Sequence, residues 1–165
     1  MFIGQIGEKN IDAIYPGFAG ANYGWNEREG SFLFKKDDPN VVYPLPANDA
    51  TFGYTYPVAQ YDHDEGFAVV GGFVYRGANI PMLQGKYVFG DIVNGRIFYT
   101  EETEMIVGQQ PAKIHELTLI DSNGFEQSMM QFANATRVDL RFGVDDQNEI
   151  YVLSCLLYTS DAADE

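Results

Sequence analysis

Short runs of β-branched and aromatic residues, separated by Gly, Pro, Asn and Asp, make up most of the chain. These runs cover residues 67–76, 86–89, 96–100, 113–120, 137–144 and 149–154. Such runs are typical of strands, and none of them holds a 3.6-residue apolar period for three helical turns. The pattern therefore predicts an all-β protein.

The dipeptide Asn94-Gly95 separates two of the predicted strands. Both residue types tolerate a positive φ, which a tight hairpin turn requires. The sequence therefore predicts a tight hairpin here, and its expected role is to turn the chain.

A spacing of Gly-x6-Ile with aromatic neighbours occurs at Gly90 and recurs at Gly143, with a fainter copy at Gly4. The distances between copies are near one and two periods of the ~40–50 residues that form a propeller blade. Each copy predicts a strand, a turn and a strand, a unit that buries its faces only by stacking on its neighbours. On this spacing, residues 1–154 hold roughly three blades.

Composition allows one sizeable core, since 45% of the residues are hydrophobic and 15% are aromatic. The chain has 24 Asp and Glu against 10 Lys and Arg, for a formal net charge of -14. This charge repels phosphate backbones and anionic lipid surfaces, so we expect no nucleic-acid partner. No apolar stretch approaches the roughly 20 residues of a spanning helix, so we expect no membrane insertion.

Residues 155–165 read CLLYTSDAADE. This string resembles one translation frame through the reverse complement of a transposase-type sequencing adapter. We therefore expect residues 155–165 to be an artefact and not native, and the alternative is an ordinary polar C-terminus. Without the segment the chain has no Cys, and hence no disulfide frame and no cysteine nucleophile.

Five ordered motifs carry a family resemblance. They lie at residues 20–30 (GANYGWNEREG), 56–66 (YPVAQYDHDEG), 71–77 (GGFVYRG), 81–91 and 95–96. They resemble the later blades of the glucose/sorbosone dehydrogenase family, which includes soluble sugar dehydrogenases dependent on pyrroloquinoline quinone (PQQ) and the propeller of hedgehog-interacting proteins. A worn match at residues 2–11 extends the resemblance over nearly all of residues 1–154.

The resemblance implies a partial six-bladed β-propeller, of which residues 1–154 form the C-terminal blades. It also implies an intact protein that is secreted or periplasmic. The implied activity is that of a quinoprotein oxidoreductase, a PQQ-dependent sugar (aldose) dehydrogenase that uses Ca2+, a sugar substrate and an external electron acceptor. The family places its catalytic base, a His, on an earlier blade, so we expect that base upstream of residue 1.

The implied cofactor-binding residues are Tyr61, Gly66, Ala68 and Arg137. The first three match the family loop that contacts the quinone, and Arg137 matches the first Arg of the family's Arg-x-Arg-Asp. Asp139 replaces the second Arg, and residues 91–94 lack the family's lysine. The alternative for Arg137 is a surface cation that pairs with Asp139 or Asp145.

The cluster Asp62-His63-Asp64-Glu65 alternates carboxylates around a His. Asp62 and Asp64 are candidate Ca2+ ligands, because hard cations prefer oxygen donors. The alternative is a solvated acidic turn whose His caps a backbone carbonyl. The spacing is not that of an EF-hand, since Phe67 stands where the turn Gly is required.

Two functional hypotheses follow. One is the PQQ-dependent sugar dehydrogenase. The other is a catalytically silent, calcium-binding propeller that holds a protein or a glycan, and the missing cations favour it.

Trp25 is either a sugar-stacking platform or a residue that packs between blades.

Overall fold

The structure is a computed structural model that describes residues 1–155 of the 165-residue chain. Within these residues it is all-β, apart from one short α-helix and three 3-10 turns. The strands are β1 (Phe2–Gln5), β2 (Ile11–Pro16), β3 (Arg28–Glu29), β4 (Phe32–Phe34), β5 (Val42–Tyr43), β6 (Ala59–Asp62), β7 (Val69–Val74), β8 (Lys86–Asp91), β9 (Ile97–Glu101), β10 (His115–Glu116), β11 (Leu119–Ile120), β12 (Glu126–Gln127), β13 (Asp139–Val144) and β14 (Ile150–Cys155). The helix α1 is Met129–Ala133, and the 3-10 turns are Asp49–Phe52, Pro81–Leu83 and Glu102–Glu104.

The strands form small antiparallel sheets that follow one another along the chain. The first has the order β1-β2-β6, the second β10-β9-β8-β7, and a third pairs β13 with β14. Two minor sheets, β3-β4-β5 and β11-β12, lie in the connections. The second sheet is a four-stranded meander, which is the usual form of a propeller blade.

The first strands of the three main sheets lie next to one another. Strand β7 contacts β1 of the preceding sheet and β13 of the following sheet. Neighbouring first strands are expected where blades stack around a common axis. The architecture is therefore consistent with a partial propeller, and the all-β prediction is confirmed.

Strand β8 shows how the sheets share the core. Tyr87 and Phe89 pack into a cluster with β2, β6 and β7, whereas Val88 packs into a second cluster with β13. Successive strand residues point to opposite faces, so the unbroken hydrophobic run at residues 87–89 of β8 reflects burial of both faces.

Several boundaries differ from the sequence-based prediction. The single strand predicted for residues 113–120 is wrong, because β10 pairs with β9 whereas β11 pairs with β12. The hairpin between β8 and β9 is confirmed, but its turn is not a tight two-residue turn. The Asp91 amide donates to the Arg96 carbonyl, and Gly95 takes a positive φ of 67° whereas Asn94 does not.

Each of the three Gly-x6-Ile copies spans the turn of an antiparallel hairpin, namely β1–β2, β8–β9 and β13–β14. No helix in residues 1–155 is long and apolar enough to cross a membrane. Apart from Cys155, which ends β14, the segment predicted to be an artefact lies outside the described residues.

Candidate functional site

The Asp91 carboxylate lies at the centre of a buried polar site. Asp91 is the last residue of β8, and none of its surface is exposed. Its Oδ1 accepts hydrogen bonds from the amides of Val93 (3.1 Å) and Asn94 (3.0 Å), so it caps the β8–β9 turn. Its Oδ2 accepts from the amides of Phe67 (2.5 Å) and Ala68 (2.8 Å). One carboxylate therefore fixes both its own turn and the entry to β7.

Asp12 lies in β2 and is also fully buried. Its Oδ1 accepts from the Gly7 amide at 2.8 Å, and its Oδ2 accepts from the Val69 amide at 3.1 Å. The second bond joins the first sheet to the second. Burial raises the pKa of Asp12, and the two amides and nearby His63 only partly oppose that rise.

Tyr61, on β6, completes the group that we call the aspartate cluster: Asp12, Tyr61 and Asp91. The Tyr61 hydroxyl donates to Oδ2 of Asp91 at 3.4 Å, and the side chain is 4% exposed. Burial, together with the charges of Asp12 and Asp91, raises the pKa of Tyr61, so it stays protonated as a donor.

Gly66 has no side chain, and the aspartate cluster occupies the space that a side chain would take. A Cβ at this position would lie 2.6 Å from Oδ2 of Asp91 and 2.8 Å from Cε2 of Tyr61. Only glycine therefore lets the backbone approach the carboxylate this closely.

His63 lies beside the aspartate cluster. Its Nε2 is 3.6 Å from Oδ1 of Asp12, a distance beyond a hydrogen bond, and this buried nitrogen has no hydrogen-bond partner. Its ring lies 6.4 Å from that of Phe67. In residues 1–155 the His63 ring nitrogens make no hydrogen bond to a backbone carbonyl, so the predicted capping role is wrong.

The acidic turn, residues 62–65, lies on the surface. Asp62, Asp64 and Glu65 are exposed, and Oδ1 of Asp62 accepts from the Asp64 amide at 3.0 Å. No group of three or more His, Cys, Asp or Glu side chains in residues 1–155 is arranged to hold a metal ion. The described donors of this turn therefore fall short of the six to eight oxygens that Ca2+ takes, and they do not fit that ion.

Arg137 stands apart from the other predicted cofactor residues. It is exposed and precedes β13, and in the described part of the chain it makes no ion pair. The alternative pairing with Asp139 or Asp145 is wrong, because Arg141 takes Asp139. The Asp145 carboxylate instead accepts from Tyr151 and from the amides of its own turn.

The structure thus brings Tyr61, Gly66 and Ala68 together, but around the Asp91 carboxylate. Tyr61 and Ala68 are 4% and 8% exposed, and the space above Gly66 is already filled by Asp91. PQQ carries carboxylates and requires cations and open space. These residues, next to two buried aspartates, do not fit that group.

A cavity of about 460 Å3 opens beside the aspartate cluster. It contains two cations, Arg96 and Lys113. Arg96 makes a bidentate pair with Glu116, at 2.9 and 2.7 Å. That pairing lowers the pKa of Glu116, so the guanidinium is already neutralised.

None of the sequence patterns above identifies Asp12 as a site residue. Asp91 caps its own turn and forms no ion pair within residues 1–155, because Arg76 pairs with Glu102 and Arg96 with Glu116. One signal was available for Asp12, since a lone carboxylate inside an apolar strand requires a buried partner.

These features define an all-β protein of successive small antiparallel sheets, in which the buried carboxylate of Asp12 joins the first sheet to β7 of the second. The chain is similar to the HIPL1 protein of Arabidopsis thaliana, at 25% identity over 161 residues, which is 92% of this chain and 22% of that protein. It is also similar to the HIPL2 protein of the same plant, at 30% identity over 97 residues, which is 53% of this chain and 13% of that protein. These two matches support the propeller resemblance.

A third match is the human E3 ubiquitin-protein ligase NEDD4, at 29% identity over 140 residues, which is 81% of this chain and 10% of that protein. The chain therefore spans between a tenth and about a fifth of the length of these relatives. No protein-family model matches the chain, and no solved structure matches it significantly.

Proposed function

We propose that this chain is part of a sugar-dehydrogenase-like β-propeller that acts as a recognition module and performs no quinone-dependent oxidation. One observation carries the proposal. The residues that resemble a quinone loop are buried in direct contact with the carboxylate of Asp91. They are Tyr61, Gly66 and Ala68. A propeller used for recognition needs rigid loops and no cofactor well, and this network provides such rigidity.

The distribution of cations supports the same proposal. Five of the ten Lys and Arg side chains, at Arg28, Arg76, Lys86, Arg96 and Arg141, form ion pairs with carboxylates. Of the two in the cavity beside Tyr61, Arg96 is already paired, and Lys113 is left to meet an anion. A bound tricarboxylate would have to compete with protein carboxylates for these charges.

The experiment is a titration of the longest natural protein that contains this chain with PQQ, in the presence of Ca2+. We expect no stoichiometric quinone complex and no dye reduction with aldoses. A tight complex that oxidises aldoses would overturn the proposal. A soluble quinoprotein of known activity, treated identically, serves as the positive control.

A second candidate is the PQQ-dependent sugar dehydrogenase, and Arg137 favours it. Its guanidinium is exposed, makes no ion pair within residues 1–155, and stands at a position that resembles a quinone-binding Arg. Under this candidate PQQ supplies the redox chemistry, Ca2+ assists it, and the sugar and an external electron acceptor are the partners. Arg137→Ala would then abolish quinone binding, whereas Arg141→Ala, within β13, would not.

Either candidate fits a protein that is secreted or periplasmic, which we also propose. The partner of the recognition module is a protein or a glycan. Expression of the natural protein with its own leader, followed by fractionation, tests the location.

A further inference from the structure

The chain contains two Asn-Gly dipeptides, Asn94-Gly95 and Asn123-Gly124, and both lie in hairpin turns. The first connects β8 to β9, and the second connects β11 to β12. An asparagine that precedes a glycine is especially prone to lose its side-chain amide, because glycine has no Cβ to shield its backbone nitrogen. Each dipeptide is therefore open to the same reaction, and the surrounding fold decides whether it reacts.

The backbone hydrogen bonds of the two turns are closely matched. In each turn one aspartate accepts twice, through its Oδ1 from the asparagine amide and through its carbonyl from the glycine amide. This aspartate is Asp91 in the β8–β9 turn, with distances of 3.0 and 3.0 Å. It is Asp121 in the β11–β12 turn, with distances of 2.8 and 3.0 Å. These hydrogen bonds therefore do not distinguish the two asparagines.

Packing does distinguish the two turns. Gly95 is buried, and a Cβ at this position would lie 2.4 Å from Cγ2 of Val138. Asp91, which holds the same turn, has none of its surface exposed. In the β11–β12 turn residues 122–125 are exposed, and a Cβ on Gly124 would meet nothing within 4 Å. Water can replace the hydrogen bonds of an exposed turn that opens, whereas opening a buried turn leaves its donors unsatisfied.

We propose that Asn123 is a site of spontaneous deamidation in the folded protein, and that the fold protects Asn94. The Gly124 nitrogen attacks Cγ of Asn123, so that a C–N bond forms and the side-chain nitrogen leaves as ammonia with the amide proton. Water then opens the succinimide ring at either carbonyl carbon, which gives aspartate or isoaspartate with no change in oxidation state. This modification site is independent of the proposed recognition function.

Isoaspartate changes both the shape and the charge of the β11–β12 turn. The backbone gains one atom, because it then runs through the former side-chain carbon. A new carboxylate also lies two residues from Asp121, and like charges repel. Strands β11 and β12 have two residues each, so little strand pairing opposes the distortion. The modified turn becomes a substrate for an isoaspartyl carboxyl methyltransferase, an enzyme that recognises this displaced carboxylate.

The experiment incubates the full chain at mildly alkaline pH and follows both asparagines by mass spectrometry of tryptic peptides. Trypsin cleaves after Lys and Arg, so the two sites fall in separate peptides, residues 87–96 and 114–137, and fragment ions locate the change within each. We expect Asn123 to react about tenfold faster than Asn94, because its turn opens more readily. Methyl transfer from S-adenosylmethionine by an isoaspartyl carboxyl methyltransferase measures the isoaspartate independently.

The chain unfolded in guanidinium is the first control, because it lacks the protection that folding gives. There we expect the two rates to agree within about threefold. Asp121→Ala removes the Oδ1 acceptor of two amides in the β11–β12 turn, so Asn123 should react about threefold faster and Asn94 should be unaffected. Asp145→Ala is the matched variant, since it removes the same kind of acceptor from the β13–β14 turn, and it should leave both rates unchanged.

Rates in the folded chain that agree as closely as those in guanidinium would overturn the proposal, as would a faster reaction at Asn94. Failure of Asn123 to react in the folded chain, when it reacts in guanidinium, would overturn it too, because the β11–β12 turn would then be protected. Asn123→Ser should abolish the methyltransferase signal, and a signal that persists in this variant would place the modification elsewhere. The quinone titration is a separate measurement, so failure of this site and failure of the recognition function are distinguishable.

Discussion

The aspartate cluster and the acidic turn are adjacent in sequence, since Tyr61 directly precedes Asp62, but their carboxylates have different roles. Asp91 and Asp12 are fully buried and together accept six backbone amide hydrogen bonds. Asp62 is exposed and accepts one, from its own turn. A dense run of acids therefore identifies a surface, whereas isolated acids inside strands identify the parts that hold the sheets together.

Two glutamates extend this lesson beyond the aspartate cluster. Glu29 is 2% exposed, and its Oε1 accepts from the amides of Lys9 (3.1 Å), Asn10 (2.8 Å) and Ile11 (3.1 Å). Glu149 likewise accepts from the amides of Ala78 and Asn79, and from the Tyr75 hydroxyl at 2.7 Å. Part of the acidic excess of this chain is therefore structural, because carboxylates satisfy backbone donors that no strand pairs.

The strongest test of this contrast is Asp91→Ala. The substitution leaves four amides without their acceptor, at Phe67, Ala68, Val93 and Asn94. Because unsatisfied buried donors are costly, we expect the free energy of unfolding to fall by about 3 kcal/mol or more. Chemical denaturation measures the loss, and Asp62→Ala is the matched control. An equal loss in both variants would contradict the distinction between buried and exposed acids.

A second test fills the space next to the aspartate cluster. Gly66→Ala places a Cβ 2.6 Å from Oδ2 of Asp91, so the carboxylate or the loop must move. We expect a loss of about 2 kcal/mol in the free energy of unfolding. Gly143→Ala is the control, because its Cβ would meet Leu153 at 4.0 Å, an ordinary contact. Equal thermal stability of the two variants would show that the cluster is not tightly packed.

A third test compares the pH dependence of Asp12 and Glu29, whose pKa values shift in opposite directions. Burial raises the pKa of Asp12 above 3.8, so its contribution to stability is present below that pH and is lost as pH rises through the folded value. The pKa of Glu29 falls below 4.5, because its hydrogen bonds outweigh burial. Its contribution is present above 4.5 and is lost as pH falls through the folded value.

Unfolding curves between about pH 3 and pH 8 separate the two effects. As pH rises, the deficit of Asp12→Asn relative to the natural sequence should shrink, and the deficit of Glu29→Gln should grow. Parallel curves for both variants would show that neither carboxylate titrates differently in the folded and unfolded states.

The fold was more predictable from the sequence than the site. Strands such as β8 and β13 have local signals, since short runs of β-branched and aromatic residues identify a strand without knowledge of its partners. The aspartate cluster joins residues from β2, β6 and β8, and its hydrogen bonds run to backbone amides, which every residue carries. No local pattern specifies such partners, so only the Asp12 carboxylate in its apolar strand gave a hint.

The acidic turn gives the smallest expected effect. Asp62→Asn and Asp64→Asn should each change the free energy of unfolding by less than about 0.5 kcal/mol, because both side chains are exposed and asparagine retains the Oδ1 acceptor of the turn. The calcium prediction can be tested in the same variants by melting with and without Ca2+. Since the described donors are too few for that ion, we expect the melting temperature to respond equally in all three proteins. A calcium-dependent rise that the two variants lose would place a metal on the acidic turn and make its carboxylates functional.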